Sequence, residues 1–464
     1  MYLPCHYLTQ LHSAGRSWLQ AVLVIFLLTS VAEGCSAQSP APQVSALSSL
    51  APAVEKVNND KTELHIFYIH GIGINPPEED AGKQVFQVSK DFRDHFCQLK
   101  QLHCTSRFVS RSYADRDLFA LNKAPDLQYL GTNLWANNDE WNASAPFVDH
   151  YELLTDKGKI IYLHEINWWP LVMAAKCRRL VAWDAALVDD DKAHLSICGA
   201  DTQADKNENG RFTSYHWLNP DEIPVRRSPW PKPAAINRWA KHDLLDWSFT
   251  DALLAVGPLH EYLVEGIREV VLDSYKDTDK PQEFIIVSHS LGSYLMFSAL
   301  DMRSDAKSET PSSQKAAAMA AQRSQSAAAL QSNENWQHKF DEVLKNTSHA
   351  YFMANQLSLL ELANLDESQQ GILGVHLAVW GQARASVQEK ASVIAFSDPD
   401  DLLTWQLPAK DLCATSVIVH NVPVLNAPRW FWFFADPDSA HVHYDRNKTV
   451  LDAMFPKEDL PACQ

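Results

Sequence analysis

Seven short runs of β-branched and aromatic residues punctuate this chain: Glu63–His70, Arg107–Ser110, Lys159–His164, Glu283–Ser288, His349–Ala354, Ala391–Phe396 and Thr415–His420. Most are too short and too apolar to belong to a sheet with one wet face, because such strands alternate apolar with polar residues. Helical patterns lie between them, for instance Leu259, Leu263, Ile267 and Val270 or Val271 at three- and four-residue spacing. Strand alternating with helix predicts an α/β fold, a mainly parallel sheet with helices on both faces. The 464 residues, 46% of them hydrophobic, allow two or three domains or one domain with large insertions.

The ends and interruptions of this pattern set the expected domain organisation. Residues 1–35 contain Arg16 and the apolar run Ala21–Ala32, which suits an export signal and is shorter than the roughly 20 residues a spanning helix needs. Ala32-Glu33-Gly34-Cys35 resembles a lipoprotein box, departing from it at Glu33, and points to a lipidated Cys35 holding the protein at a membrane, periplasmic if the source is bacterial. Residues 36–62 are rich in Pro, Ser and Ala and read as a flexible tether. The folded unit is expected over 63–464, with a Trp-rich insertion or cap at about 114–249 and a low-complexity loop at about 304–333. Beyond Cys5 and Cys35 six cysteines remain, an even number that fits up to three disulfides in an exported protein. Short loop closure favours Cys97 with Cys104, Cys177 with Cys198 and Cys413 with Cys463. Forty basic against 57 acidic side chains leave a net charge of −17. A polyanion such as nucleic acid is therefore an unfavourable partner.

The chemistry concentrates where the apolar strand Phe284–Val287 runs into Ser288-His289-Ser290-Leu291-Gly292 and then into a helical pattern. Strand, tight turn and helix form the setting of a nucleophile elbow. Small residues are needed two positions to either side of its Ser, and Ser288 and Gly292 fill those positions, Ser288 standing where Gly is usual. Ser290 is the candidate nucleophile. A hydrolytic serine also needs amides aimed at the developing oxyanion. One is expected from Leu291; the other from Gly71 or Ile72 in His70-Gly71-Ile72-Gly73, the turn after the first strand. An acid and then a histidine should follow in chain order. Asp398, Asp400 and Asp401 lie just past the strand Val393–Phe396, and His441 and His443 lie later still.

Over roughly residues 62–110 and 250–460 the chain resembles the α/β-hydrolase family, particularly its lipase and esterase-like members. That resemblance implies an α/β-hydrolase fold. His441 in His-x-x-Tyr444 becomes the base, and Pro399-Asp400-Asp401 aligned with the family's Pro-Asn-Asp turn favours Asp401 as the acid, Asp398 and Asp400 staying open. The implied reaction is acyl transfer from a carboxylic ester, of a small molecule or a lipid, through an acyl-enzyme on Ser290, with no metal and no organic cofactor. Two other readings stay open. One is a metal-dependent phosphoesterase built from His65, His70, His164 and the Asp turn. The other is a binding protein on an inactive hydrolase scaffold.

Overall fold

The computed structural model describes residues 49–72, 78–80, 83–85, 88–100, 102–114, 145–177, 180, 198, 249–257, 259–276, 278–300, 338–360, 372–387, 389–407, 417–427, 429–430, 434–435 and 440–455. Eight strands form one sheet: β1 Glu63–Ile69, β2 Cys104–Tyr113, β3 Phe147–Thr155, β4 Ile160–Asn167, β5 Gln282–His289, β6 Thr347–Met353, β7 Ala391–Ser397 and β8 Val417–Pro423. Across the sheet they run β8-β7-β6-β5-β1-β4-β3-β2. Every pairing from β8 to β4 is parallel, and β3 pairs antiparallel with both β4 and β2. The mainly parallel α/β architecture expected from the sequence is present.

Helices cover both faces because both faces of the parallel strands are apolar. One core gathers Phe67, Ile69, Phe284 and Ile286 under helices α3 Trp169–Lys176, α4 His260–Asp273, α5 Leu291–Ala299 and α6 Ile372–Ala383. The periodic set Leu259, Leu263, Ile267, Val270 and Val271 is buried there. On the opposite face Leu64, Ile66, Tyr68, Ile285 and Val287 pack under α1 Ala51–Asn58, α2 Lys90–Gln98 and α7 Lys448–Ala453.

Two sequence expectations change against these elements. The tether expected over 36–62 ends in α1, where Ala53, Val54 and Val57 lie three and four apart and turn one stripe into the core. Pro52 suits the first turn of that helix, where its missing N–H has no acceptor to serve. The N–H of Leu50 donates to the carbonyl of Met454 at 2.8 Å, so the described body begins and ends at one place. The expected insertion at about 114–249 contains strands β3 and β4 and helix α3, and its Trp168 and Trp169 are buried in the main core. The rest of that insertion, the export signal with Cys35, most of the tether before α1 and the loop at 304–333 lie outside the described residues. Disulfides join Cys97 to Cys104 and Cys177 to Cys198, with Cα atoms 4.5 and 5.6 Å apart. Cys413 and Cys463 lie outside the described residues.

Candidate active site

Ser290 sits between the last residue of β5 and the first of α5 with φ 52° and ψ −126°. A non-glycine residue with positive φ is strained, and it persists when its surroundings over-determine it. Here the Ser290 N–H donates to Met353 O on the neighbouring strand at 2.8 Å, and its carbonyl accepts from Ser293 N–H at 3.1 Å. The turn is crowded. A Cβ on Gly292 would fall 2.3 Å from the carbonyl oxygen of His70, and one on Gly71 would fall 2.5 Å from Cβ of Ser290. Both glycines are required by close backbone approach. Ser288, the departure from glycine in this motif, is fully buried, and its hydroxyl is paired with that of Ser293 at 2.8 Å.

Asp401 and His441 converge on that serine from separate segments beyond β7 and β8. Ser290 Oγ lies 2.9 Å from His441 Nε2, and His441 Nδ1 lies 3.0 and 2.9 Å from the two carboxylate oxygens of Asp401. A carboxylate only accepts, so Nδ1 carries the proton and Nε2 is left to accept from the Ser290 hydroxyl. All three side chains are buried. Burial opposes the charge on Asp401. The bonds from His441, Thr404 and the Leu403 amide outweigh it and hold the carboxyl below its ordinary range. Tyr444, the residue that marked His441 in the sequence, donates its hydroxyl to Asp401 at 3.4 Å and accepts from the Asp398 N–H at 2.7 Å.

The other two carboxylates of this turn do different work. Asp398 accepts from the backbone N–H groups of Asp400, Asn426 and Ala427, which ties the acid turn to the loop after β8. Asp400 is half-buried and its own amide donates to Asp398. Of the two candidate histidines, His443 takes a left-handed φ of 72° just before a short 3-10 turn, and His441 faces the serine.

Two of the residues expected to supply oxyanion amides adjoin Ser290. Leu291 is the first residue of α5, so its N–H has no partner inside the helix and lies at the positive end of the helix dipole. Gly71 packs against Ser290, and His70 Nδ1 donates to the Gly71 carbonyl at 2.8 Å, which fixes the plane of the peptide between Gly71 and Ile72. Trp168 stacks on the His70 ring at 5.0 Å and donates its indole N–H to the His70 carbonyl at 2.9 Å. Burial pushes the His70 pKa down to about 3, which keeps the ring neutral.

Of the residues of the metal reading only His65 and His164 are brought together. His65 and His164 hydrogen-bond at 2.9 Å on the α4 face of the sheet, and His150 bonds the other nitrogen of His164 at 2.8 Å, forming a row. His70 stands beyond the end of β1 against Trp168, and the Asp turn follows β7, three strands away from β1. Among the described residues no three His, Cys, Asp or Glu side chains are placed to share one metal ion.

Sequence reasoning missed Thr404, His289 and Asn426. The first two stand beside residues already singled out, so adjacency was the signal available for them. Asn426 lies 15 positions before His441, and nothing local in the sequence marks it. Comparison of the chain with protein-family models, curated proteins and solved structures yields no match.

Proposed function

We propose that this chain is a serine hydrolase of the α/β-hydrolase type that cleaves carboxylic esters through an acyl-enzyme. The carrying observation is the unbroken relay from the strained Ser290, 2.9 Å from His441 Nε2, to Asp401 at 2.9 Å from His441 Nδ1. In this reading His441 takes the Ser290 proton as Oγ attacks the ester carbonyl carbon. The negative charge that develops on the carbonyl oxygen is met by the Leu291 amide and one from Gly71 or Ile72. His441 then returns the proton to the departing alkoxide, leaving an ester on Ser290. Water repeats the sequence and releases the acid. Asp401 holds the imidazole tautomer and offsets its charge throughout.

Support for the fold part of the reading comes from the sheet, with the serine after the strand beside the central β1 and the acid and base beyond β7 and β8. Leu402, Leu403 and Trp405 stand exposed next to the acid. Such a rim suits an apolar acyl group or a lipid ester. Two disulfides fit an exported protein, at a membrane through Cys35 if that residue is lipidated. The test is labelling by a fluorophosphonate followed by a panel of esters of rising acyl length. Wild type should label and Ser290→Ala should not; labelling that survives the substitution overturns the assignment.

A further inference from the structure

The turn that carries His441 presents three consecutive carbonyls, those of Ala440, His441 and Val442, and each accepts a hydrogen bond from a side chain outside the turn. The side-chain amide of Asn426 donates to Ala440 O at 3.1 Å and also to Val442 O. Between them, Nε2 of His289 lies 3.1 Å from the carbonyl of His441 itself. A carbonyl can only accept, so Nε2 of His289 carries the proton. Burial and the neighbouring His441 push the His289 pKa down to about 3, which keeps that donor in place on a neutral ring.

Both donors are themselves fixed to the rest of the site. His289 is the residue directly before Ser290, and its ring stands edge-on to His441 and to Tyr444. Its Nδ1 borders Gly71 so closely that a Cβ there would come within 2.8 Å. Asn426 is held by its backbone N–H, which donates to Asp398, and by its Oδ1, which accepts from Asn447 Nδ2 at 3.0 Å. The main chain of the base is thus tied on one side to the nucleophile's strand and on the other to the turn that bears the acid.

We propose that His289 and Asn426 are positioning residues that clamp the backbone of His441, so that its imidazole keeps both of its hydrogen bonds as the ring gains and loses a proton. The proposal rests on the Ser290–His441–Asp401 reading above. Its physical basis is that His441 is followed directly by an irregular stretch in which His443 takes a φ of 72°, while proton transfer tolerates little displacement.

The test measures fluorophosphonate labelling rate, kcat and KM for one ester, and thermal melting, from pH 5 to 9. The proteins are wild type, Ser290→Ala, His289→Leu, His289→Gln, Asn426→Ala and the His289→Leu, Asn426→Ala pair. His289→Leu and Asn426→Ala should each lower kcat and labelling rate on the order of tenfold to a hundredfold at unchanged KM, because small misplacements of reacting groups cost that much. His289→Gln places an amide N–H near the position of Nε2 and should recover the rate to within about threefold. The pair should lose less than the product of its single losses, as for two parts of one device. Folded variants that melt lower yet label at the wild-type rate would reduce both bonds to ordinary satisfaction of buried carbonyls and overturn the proposal. So would a folded His289→Gln as slow as His289→Leu. If His289→Leu fails to fold, His289→Gln against Asn426→Ala decides. A wild type that neither labels nor hydrolyses, or a Ser290→Ala that still labels, instead overturns the hydrolase reading and takes the clamp with it.

Discussion

Strands β6 and β7 bury every residue and β5 buries all but its last, most of them apolar. On the other side of β1, strands β2, β3 and β4 bury Asp149, Glu165, Asn167 and His164. Those polar groups are answered by the sheet and by the helix ends beside it. Arg111 grips Asp149 with two bonds of 2.6 and 2.9 Å, Glu165 accepts from the N–H and hydroxyl of Ser89, and Asn167 bridges Glu165 to the Trp169 indole. Buried charge on the antiparallel side serves the architecture, as does Glu283 in β5, paired with Lys56 and Ser348, whereas Asp398 and Asp401 lie past the strand ends, where Asp401 meets the histidine that faces Ser290. A buried ionisable group is therefore a weak sign of catalysis until its partners are known.

Substitutions can break this contrast. Ser290→Ala should remove nearly all turnover, on the order of 10⁶-fold in kcat, with little change in melting temperature. Asp401→Asn, which presents the wrong hydrogen-bond face to His441 Nδ1, should lower kcat on the order of 10⁴-fold, again with the fold intact. Asp149→Leu should do the reverse, since it leaves Arg111 buried without its carboxylate. A loss of about 3–5 kcal/mol in urea unfolding is expected, with ester hydrolysis per folded molecule unchanged. If Asp149→Leu instead lowered kcat in a fully folded protein, the antiparallel side would belong to the site.

The histidine row sharpens the contrast through pH. Burial holds His65, His150 and His164 below the 6.5 of a free imidazole, and the same holds for His70, His260, His289 and His420. The unfolded chain then binds more protons than the folded one, so this stability is complete above about pH 6.5 and is lost as pH falls toward the folded values. Glu165 and Asp445, raised by burial and by neighbouring carboxylates, act in the opposite sense. Seven histidines outnumber these two among the described residues. Melting temperature should be level from pH 8 to 7 and decline toward pH 5, and a level trace throughout would contradict the burial of the row. The smallest effect is expected at the exposed rim. Leu402→Ala and Trp405→Ala should move stability by no more than about 0.5 kcal/mol while changing the preference among acyl lengths.

The parallel side was legible because its signals are local. Four apolar residues, Phe284–Val287, running into Ser-His-Ser-Leu-Gly announce strand, turn and helix together, and an acid turn and a His-x-x-Tyr run each follow a readable strand. On the antiparallel side β2 and β4 showed as Arg107–Ser110 and Lys159–His164, but β3 was hidden. Phe147–Thr155 carries Asp149, His150 and Glu152, whose partners Arg111, His164 and Arg107 come from neighbouring strands, so a charged segment that looks like loop is a strand with its charges paired. Helix α1 was hidden by composition. Its Ala and Pro match a linker, and burial of Leu50, Ala53, Val54 and Val57 against a distant segment decides otherwise.

The bond from Leu50 to Met454 makes the body nearly a ring. A body whose first and last described segments meet can be joined there and cut at another surface turn, since the contacts that build the sheet do not depend on where the polymer starts. Splicing the ends and reopening the loop between Asp156 and Lys159 would leave the nucleophile, acid and base in their present sequence order. The end of β3 and the start of β4 would then carry the two termini of the new protein.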